Sequence, residues 1–207
     1  MERISFYLAK IQQKLNIPAI RGSIIDKHAR IASGCDINFL TIGRYSYVGK
    51  NAYIFKAKIG AFCSIADNCH IGAPGHPISF ASTSPVFSKG RNTLGTNFAN
   101  HWFLEGDEVI IENDVWIGAG VKVKSGIKIG TGVVIGMGSV VTHDVPCYEI
   151  WAGNPAKKIR DRFNEEIAHG LLELKWWELS DSVLYKYGEY FNDPVRLIEL
   201  LKGKDNI

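Results

Sequence analysis

Residues 111–141 read IENDVWIGAGVKVKSGIKIGTGVVIGMGSVV. Aliphatic side chains fall at Ile111, Ile117, Val123, Ile129, Ile135 and Val141, each six residues beyond the last. Glycine follows three of them directly, at Gly118, Gly130 and Gly136, and a compact residue comes four positions on, at Val115, Val121, Ile127, Val133 and Ser139. A period of six fits neither a helix at about 3.6 nor a simple strand at about two. It fits a solenoid in which each short strand lays one aliphatic side chain into a shared interior, a parallel β-helix.

The same rhythm runs upstream, loosely from Ile24 or Ile25 and then through Ile31, Ile37, Ile42, Val48, Ile54, Ile59, Ile65 and Ile71. Ala32, Gly43, Gly49, Gly60, Ala66 and Gly72 follow six of these aliphatics. The steps into Ile42 and Ile59 are five residues long, which predicts a tightened corner there. With three strands to a coil, the upstream half makes roughly three coils and 111–141 about two more. Between the halves, residues 73–108 carry no such rhythm, and so long a break inside a regular solenoid predicts a functional excursion loop. Phe80, Phe87, Phe98, Trp102 and Phe103 give that loop apolar surface to bury.

The flanks differ in character. Ile4, Leu8, Ile11 and Leu15 stand at helical spacing ahead of Pro18, which predicts an N-terminal helix within 1–19 packed on the main body, with a membrane-surface helix as the alternative. After the β-helix of 20–153, Asn154 and Pro155 read as an N-cap and first-turn pair, with Ile159, Phe163, Ile167, Leu171 and Leu174 on one helix face. Trp176-Trp177 ends that helix, and shorter helices follow Ser180 and Asp193-Pro194. A helical cap over 154–207 would cover the open end of the solenoid.

Composition narrows the class. With 207 residues, 46% of them hydrophobic, the chain can build a sizeable core, and a net charge of +3 falls short of a nucleic-acid footprint. Cys35, Cys63 and Cys69 stand four residues after a repeat aliphatic and read as small interior hydrophobes. With Cys147 they form no CxxC pair and no metal-binding spacing, a usage that fits a reducing cytoplasm. No stretch has the length of a spanning helix or the form of a secretory signal.

The ladder from Ile111 to Val121, the run IGMGSVVTHDVP from Ile135, and WAGNPAKKIR from Trp151 together resemble the hexapeptide-repeat acyltransferases, nearest their xenobiotic and polysaccharide acetyltransferase branch. His76-Pro77 and Ser82-Thr83-Ser84-Pro85-Val86-Phe87 look like the loop of bacterial surface-polysaccharide O-acetyltransferases. The likeness covers roughly residues 25–180. It departs at Ile78-Ser79-Phe80-Ala81, where the sugar enzymes tend to carry a Thr-Asp-Trp-Ile-like segment, and at His143, where lysine is commoner. The resemblance implies a mainly β protein, a left-handed parallel β-helix with a long excursion loop and a C-terminal helical cap. It also implies a homotrimer, acetyl-CoA as co-substrate without a metal, and active sites between neighbouring subunits.

Acetyl transfer needs a base, and an imidazole titrating near neutrality can take the acceptor's proton and return it to the departing sulfur. His76 matches the family's catalytic histidine and stands where the repeat breaks; His101 is its competitor. His70, at a repeat corner, and His28 and His169, at the surface or cap, rank lower. Ser84, Asn100 and Glu105 are polar loop residues able to orient acceptor or base. Backbone amides of the Trp116–Ala119 turn (with Gly118) or the Gly136–Gly138 turn could meet the developing oxyanion. Beside Asn154 and Pro155, Lys157, Lys158 and Arg160 could meet CoA phosphates, helped by a helix N-terminus.

The expected activity is acetyl-CoA-dependent acetylation of a sugar hydroxyl in bacterial surface-polysaccharide biosynthesis, in the cytoplasm. The alternatives are N-acylation of a nucleotide-linked amino sugar and O-acetylation of an antibiotic. More remote are a non-catalytic scaffold and a metal-dependent β-helix enzyme, which would need three histidine ligands where only His70 and His76 share the six-residue spacing.

Overall fold

The computed structural model describes residues 7, 8, 10–12, 15–104 and 106–203. Their sixteen strands, β1 to β16 in chain order, wind into a three-sided solenoid. One face stacks β1 (Ala19–Arg21), the first half of β4 (Asp36–Ile42), the first half of β6 (Tyr53–Ile59), β8 (His70–Ile71), β11 (Lys122–Val123) and β14 (Val140–Val141). The second stacks β2 (Ile24–Ile25), the later halves of β4 and β6, β9 (Val109–Ile111) and β12 (Lys128–Ile129). The third stacks β3 (Arg30–Ile31), β5 (Tyr47–Val48), β7 (Ser64–Ile65), β10 (Trp116–Ile117), β13 (Val134–Ile135) and β15 (Glu149–Gly153).

The register converts the sequence rhythm into three aliphatic columns. Ile20 pairs above Ile37, Ile54, Ile71, Val123 and Val141 on the first face. Ile25, Ile42, Ile59, Ile111 and Ile129 form the second, and Ile31, Val48, Ile65, Ile117, Ile135 and Trp151 the third. Most of these side chains lie in one continuous core from Ala29 to Ala156. At about 1.5–3 kcal/mol for each fully buried aliphatic, the columns outweigh any single corner or turn preference. The ladder begins one strand earlier than expected, because Ile20 completes the first column.

Phe39 and Lys56 stand in the left-handed region at the two five-residue steps, so each of the seven-residue strands β4 and β6 bends around a corner without breaking. Cys35, Cys63 and Cys69 are buried, and their thiols donate to the carbonyls of Gly49, Glu112 and Gly118 on the following coil. Burial pushes the Cys63 thiol up to about 12, which leaves it inert as a nucleophile.

The C-terminal segment corrects the expected helix start. Asn154 and Pro155 form the turn of a hairpin in which β16 (Ala156–Asp161) folds back antiparallel on β15. Ile159, expected on a helix face, is an exposed strand residue. The edge of β15 would otherwise leave its backbone groups unpaired, and this pairing outweighs the local preference of Asn-Pro to open a helix. Helix α1 (Glu165–Leu174) begins after Asn164, whose side chain accepts the Ile167 amide at 2.9 Å. A short 3-10 turn over Trp176–Glu178 follows, then α2 (Asp181–Tyr187) and α3 (Pro194–Lys202), the last capped by Asp193.

These helices lie along one corner of the solenoid. The Phe62 ring sits 4.8 Å from Trp176, and Tyr148 sits 5.7 Å from Phe163. Phe62 and Tyr148 both adopt positive φ, a strain of roughly 1–2 kcal/mol each that the packing of their rings offsets. In the same column, Gly132 leaves room for Tyr148, since a Cβ there would fall 2.3 Å from its ring. β16 extends the open end by one strand, and the expected C-terminal helices follow it along the corner. In the N-terminal stretch, Tyr7, Leu8, Ile11 and Leu15 are helical and largely exposed, while Ile4 lies outside the described residues.

Candidate active site

The excursion loop leaves the solenoid at Gly72, immediately after β8. A Cβ on Gly72 would lie 2.2 Å from the Phe55 carbonyl oxygen and its φ is +69°, so only glycine lets the chain exit there. At the exit, the Ser125 hydroxyl accepts the Ala73 amide and donates to the Ala73 carbonyl. At the return, the Lys56 ammonium donates to the Gly106 carbonyl and the Gly126 amide to that of Asp107. Between these roots the loop folds on itself around buried Val86 and Ser88, with the Asn97 side chain donating to the Ser88 carbonyl. Phe98 and Trp102, expected to be buried, are 75% and 73% exposed on the single chain.

His76 lies four residues into this loop, ahead of buried Pro77. Its Nδ1 stands 2.8 Å from the Thr83 carbonyl oxygen. A carbonyl can only accept, so Nδ1 carries the proton and Nε2 keeps its lone pair. The imidazole is exposed, and Nε2 is therefore available to take a proton from an incoming hydroxyl. Thr83 acts through its backbone, which no side-chain motif announces.

Next in sequence to Thr83, Ser82 joins Phe80, Ala81, Phe87 and His101 in lining a cavity of about 360 Å³. The Phe80 and His101 rings meet edge to face with centroids 5.7 Å apart. His101 thus forms part of a mainly apolar wall. Of the other histidines, His70 sits on an outer strand face rather than a corner, 5.5 Å from the Tyr53 ring. His28 stacks on Tyr45, and His169 pairs with Glu173.

The polar loop residues divide. Ser84 precedes the 3-10 turn Pro85–Phe87 and makes no side-chain capping bond. Asn100 is exposed, and Glu105 lies outside the described residues. No described hydrogen bond joins Ser84 or Asn100 to His76.

Trp116, Gly118, Ala119, Gly136 and Gly138 come together on two successive coils. The amides of Trp116, Gly118, Gly136 and Gly138 already donate to Val133, Ile135, Trp151 and Ala119 respectively. The expectation that these turns donate to an oxyanion therefore narrows to the amides of Ala119 and Met137, which have no acceptor among the described hydrogen bonds. A Cβ at Gly138 would meet nothing within 4 Å, so that corner is open to solvent on the single chain.

Lys157, Lys158 and Arg160 stand on β16, and no helix N-terminus lies there to assist them. The Lys158 ammonium is held 2.7 Å from both Glu149 and Asp161, and Arg160 donates to the Asp161 carbonyl. Lys157 is exposed without a partner among the described contacts, which leaves it free for a phosphate. Among the described residues no group of three His, Cys, Asp or Glu side chains could hold a metal, and no helix is long and apolar enough to cross a membrane.

The family described as bacterial transferase hexapeptide (six repeats) matches residues 108–143. A chloramphenicol acetyltransferase of Klebsiella aerogenes is 39% identical over 161 residues, covering 68% of this chain and 76% of that protein. One from Agrobacterium fabrum is 36% identical over 176 residues, 76% and 81% of the two chains. A probable macrolide acetyltransferase of Lysinibacillus sphaericus is 34% identical over 161 residues, 76% and 86%. Among solved structures, the N-acyltransferase AntD of Bacillus cereus, in complex with dTDP and 3-hydroxybutyryl-CoA, superposes with a TM-score of 0.52 at 22% identity, over 81% of this chain and 95% of that one. The last likeness speaks to the fold alone. The chain belongs to the hexapeptide-repeat β-solenoid acyltransferases, close to known xenobiotic acetyltransferases, and is a CoA-thioester-dependent transferase.

Proposed function

We propose that this chain transfers the acetyl group of acetyl-CoA to a hydroxyl of a small, partly apolar xenobiotic of the antibiotic kind, with His76 as general base. The observation that carries the reading is the pocket that begins at Ser82, next in sequence to the Thr83 that holds His76. Among the described residues that line it, Phe80, Ala81 and Phe87 are apolar, and Ser82 and His101 bring the side chains able to hydrogen-bond. A polysaccharide sugar carries a hydroxyl on almost every carbon, and each would lose its water against such a wall without a replacement. An aromatic or macrocyclic acceptor would lose far less. The chloramphenicol and macrolide acetyltransferases among the relatives support the same acceptor class, ahead of the surface-polysaccharide hydroxyl that the loop motifs suggest.

In the reaction, Nε2 of His76 takes the acceptor's hydroxyl proton as that oxygen attacks the thioester carbon. The charge gathering on the carbonyl oxygen would be met by the Ala119 or Met137 amide. The C–S bond then breaks, and the imidazolium returns the proton to the departing sulfur. Lys157 would hold a CoA phosphate. Exposed Ile78, Phe98, Trp102 and Leu104 give the loop an apolar surface that a neighbouring subunit would cover, in keeping with a homotrimer.

The test is release of free thiol from acetyl-CoA in the presence of chloramphenicol, a macrolide, a nucleotide-linked amino sugar or a surface oligosaccharide. Saturable turnover with one of the two antibiotics is the expected result. Turnover with the sugars alone would overturn the acceptor assignment.

A further inference from the structure

His76 is held on one side by Thr83, but a base on a loop is only as well placed as the loop's root. The segment from Gly72 to His76 lies outside all strands, so the chain beyond Gly72 must be pinned from elsewhere. Ser125 supplies that pin. Its Oγ accepts the Ala73 amide at 2.9 Å and donates to the Ala73 carbonyl at 2.7 Å, engaging both backbone groups of one residue through one hydroxyl. His76 comes three positions after Ala73. Ser125 sits at the turn between β11 and β12, on the solenoid itself. The returning segment of the loop is fastened to that same turn, through the Gly126 amide on the Asp107 carbonyl at 3.1 Å. A Cβ on Gly106 would lie 3.4 Å from the Ser125 Cβ, so exit and return converge on this one side chain.

We propose that Ser125 is a positioning residue for His76: its hydroxyl fixes the loop root at Ala73 and thereby the aim of the imidazole and its bond to Thr83. This rests on the reading of His76 as the base. An alanine at position 125 can replace neither bond, and Ala73 is then free to rotate about its own dihedrals. A displacement of about 1 Å at a reacting atom costs on the order of 100-fold in rate. A fold-wide effect is not expected, because the aliphatic columns are untouched.

The experiment compares wild type, Ser125→Ala and Ser125→Thr in the whole chain, by acetyl-CoA turnover with chloramphenicol and by long-range 1H–15N NMR of the His76 ring. The expected result for Ser125→Ala is a kcat lower by about 10- to 100-fold, with KM for acetyl-CoA and the melting midpoint unchanged. In the same variant the ring changes from a single Nδ1–H tautomer to a mixture, and Ser125→Thr restores both readouts. A Ser125→Ala protein with wild-type kcat and a wild-type ring signature overturns the proposal. So does one whose rate loss tracks a lowered melting midpoint and is not rescued by threonine. Should the wild type acetylate no acceptor, the functional reading fails separately, and the ring signature alone still decides whether Ser125 sets the state of His76.

Discussion

The Nδ1 of His76 donates to the Thr83 carbonyl across 2.8 Å, which fixes the tautomer that leaves Nε2 basic. His76→Ala removes the proton acceptor while leaving the solenoid core intact. The expected outcome is a loss of at least ~100-fold in thiol release with an unchanged circular dichroism spectrum. His101→Ala opens the apolar pocket instead, and should raise KM for the acceptor while kcat stays within about tenfold of wild type. The reverse pattern would exchange the two roles.

Lys157 and Lys158 are adjacent in sequence and differ in what they hold. Lys158 is committed to Glu149 and Asp161, whereas Lys157 is unpaired among the described contacts. Lys157→Ala should raise KM for acetyl-CoA by about tenfold, the worth of one charge-assisted hydrogen bond. The effect should weaken at high salt. Lys158→Ala should leave KM within about twofold and lower the melting midpoint by loosening the β15–β16 hairpin.

Glu112 binds Lys128 at 2.8 Å and accepts both the amide and the hydroxyl of Thr131 at 3.0 Å. Burial pushes its carboxyl up, but the bonds from Lys128 and Thr131 outweigh this and hold it below the usual carboxylate range. A carboxyl depressed in the folded state stabilises above its unfolded value, and that contribution is lost as pH falls through the folded value. Glu112→Gln should therefore cost about 1 kcal/mol at pH 7. The gap to wild type should close as pH falls below the ordinary glutamate value of about 4.3. Urea midpoints measured across that range check the sign.

Arg44 ties the helices to the second coil. Its guanidinium donates to the Trp177 carbonyl at 2.8 Å, to the Leu179 carbonyl, and to Asp181 at 3.2 Å. Arg44→Met leaves these acceptors without their donor and should destabilise the docked helices by about 2 kcal/mol. Limited digestion by trypsin should then cut near Lys175 first, while the β-solenoid signal persists.

The readable parts of the sequence are those whose physics is local or strictly periodic. An aliphatic every sixth residue can bury itself only by stacking in register, so the columns through Ile37, Ile42 and Ile65 are legible from spacing alone. The five-residue steps into Ile42 and Ile59 disclose the bends at Phe39 and Lys56. The loss of rhythm after Ile71 discloses the loop. Asn154-Pro155 misleads because its local preference for opening a helix is worth about 1 kcal/mol, less than pairing a whole strand along the edge of β15.

By itself, then, the sequence determined the solenoid and its break after Ile71, because both come from spacing along the chain, whereas His76, the first imidazole past that break, was singled out by its likeness to a family histidine. Only the tertiary structure decided that the Thr83 carbonyl sets the His76 tautomer, that Ser125 fastens Ala73 from a turn 52 residues away, and that Lys157 rather than Lys158 is free. It also laid the helices along a corner rather than over the end. Those relationships join residues that no period links, through backbone groups and ion pairs whose partners exist only once the coils have stacked.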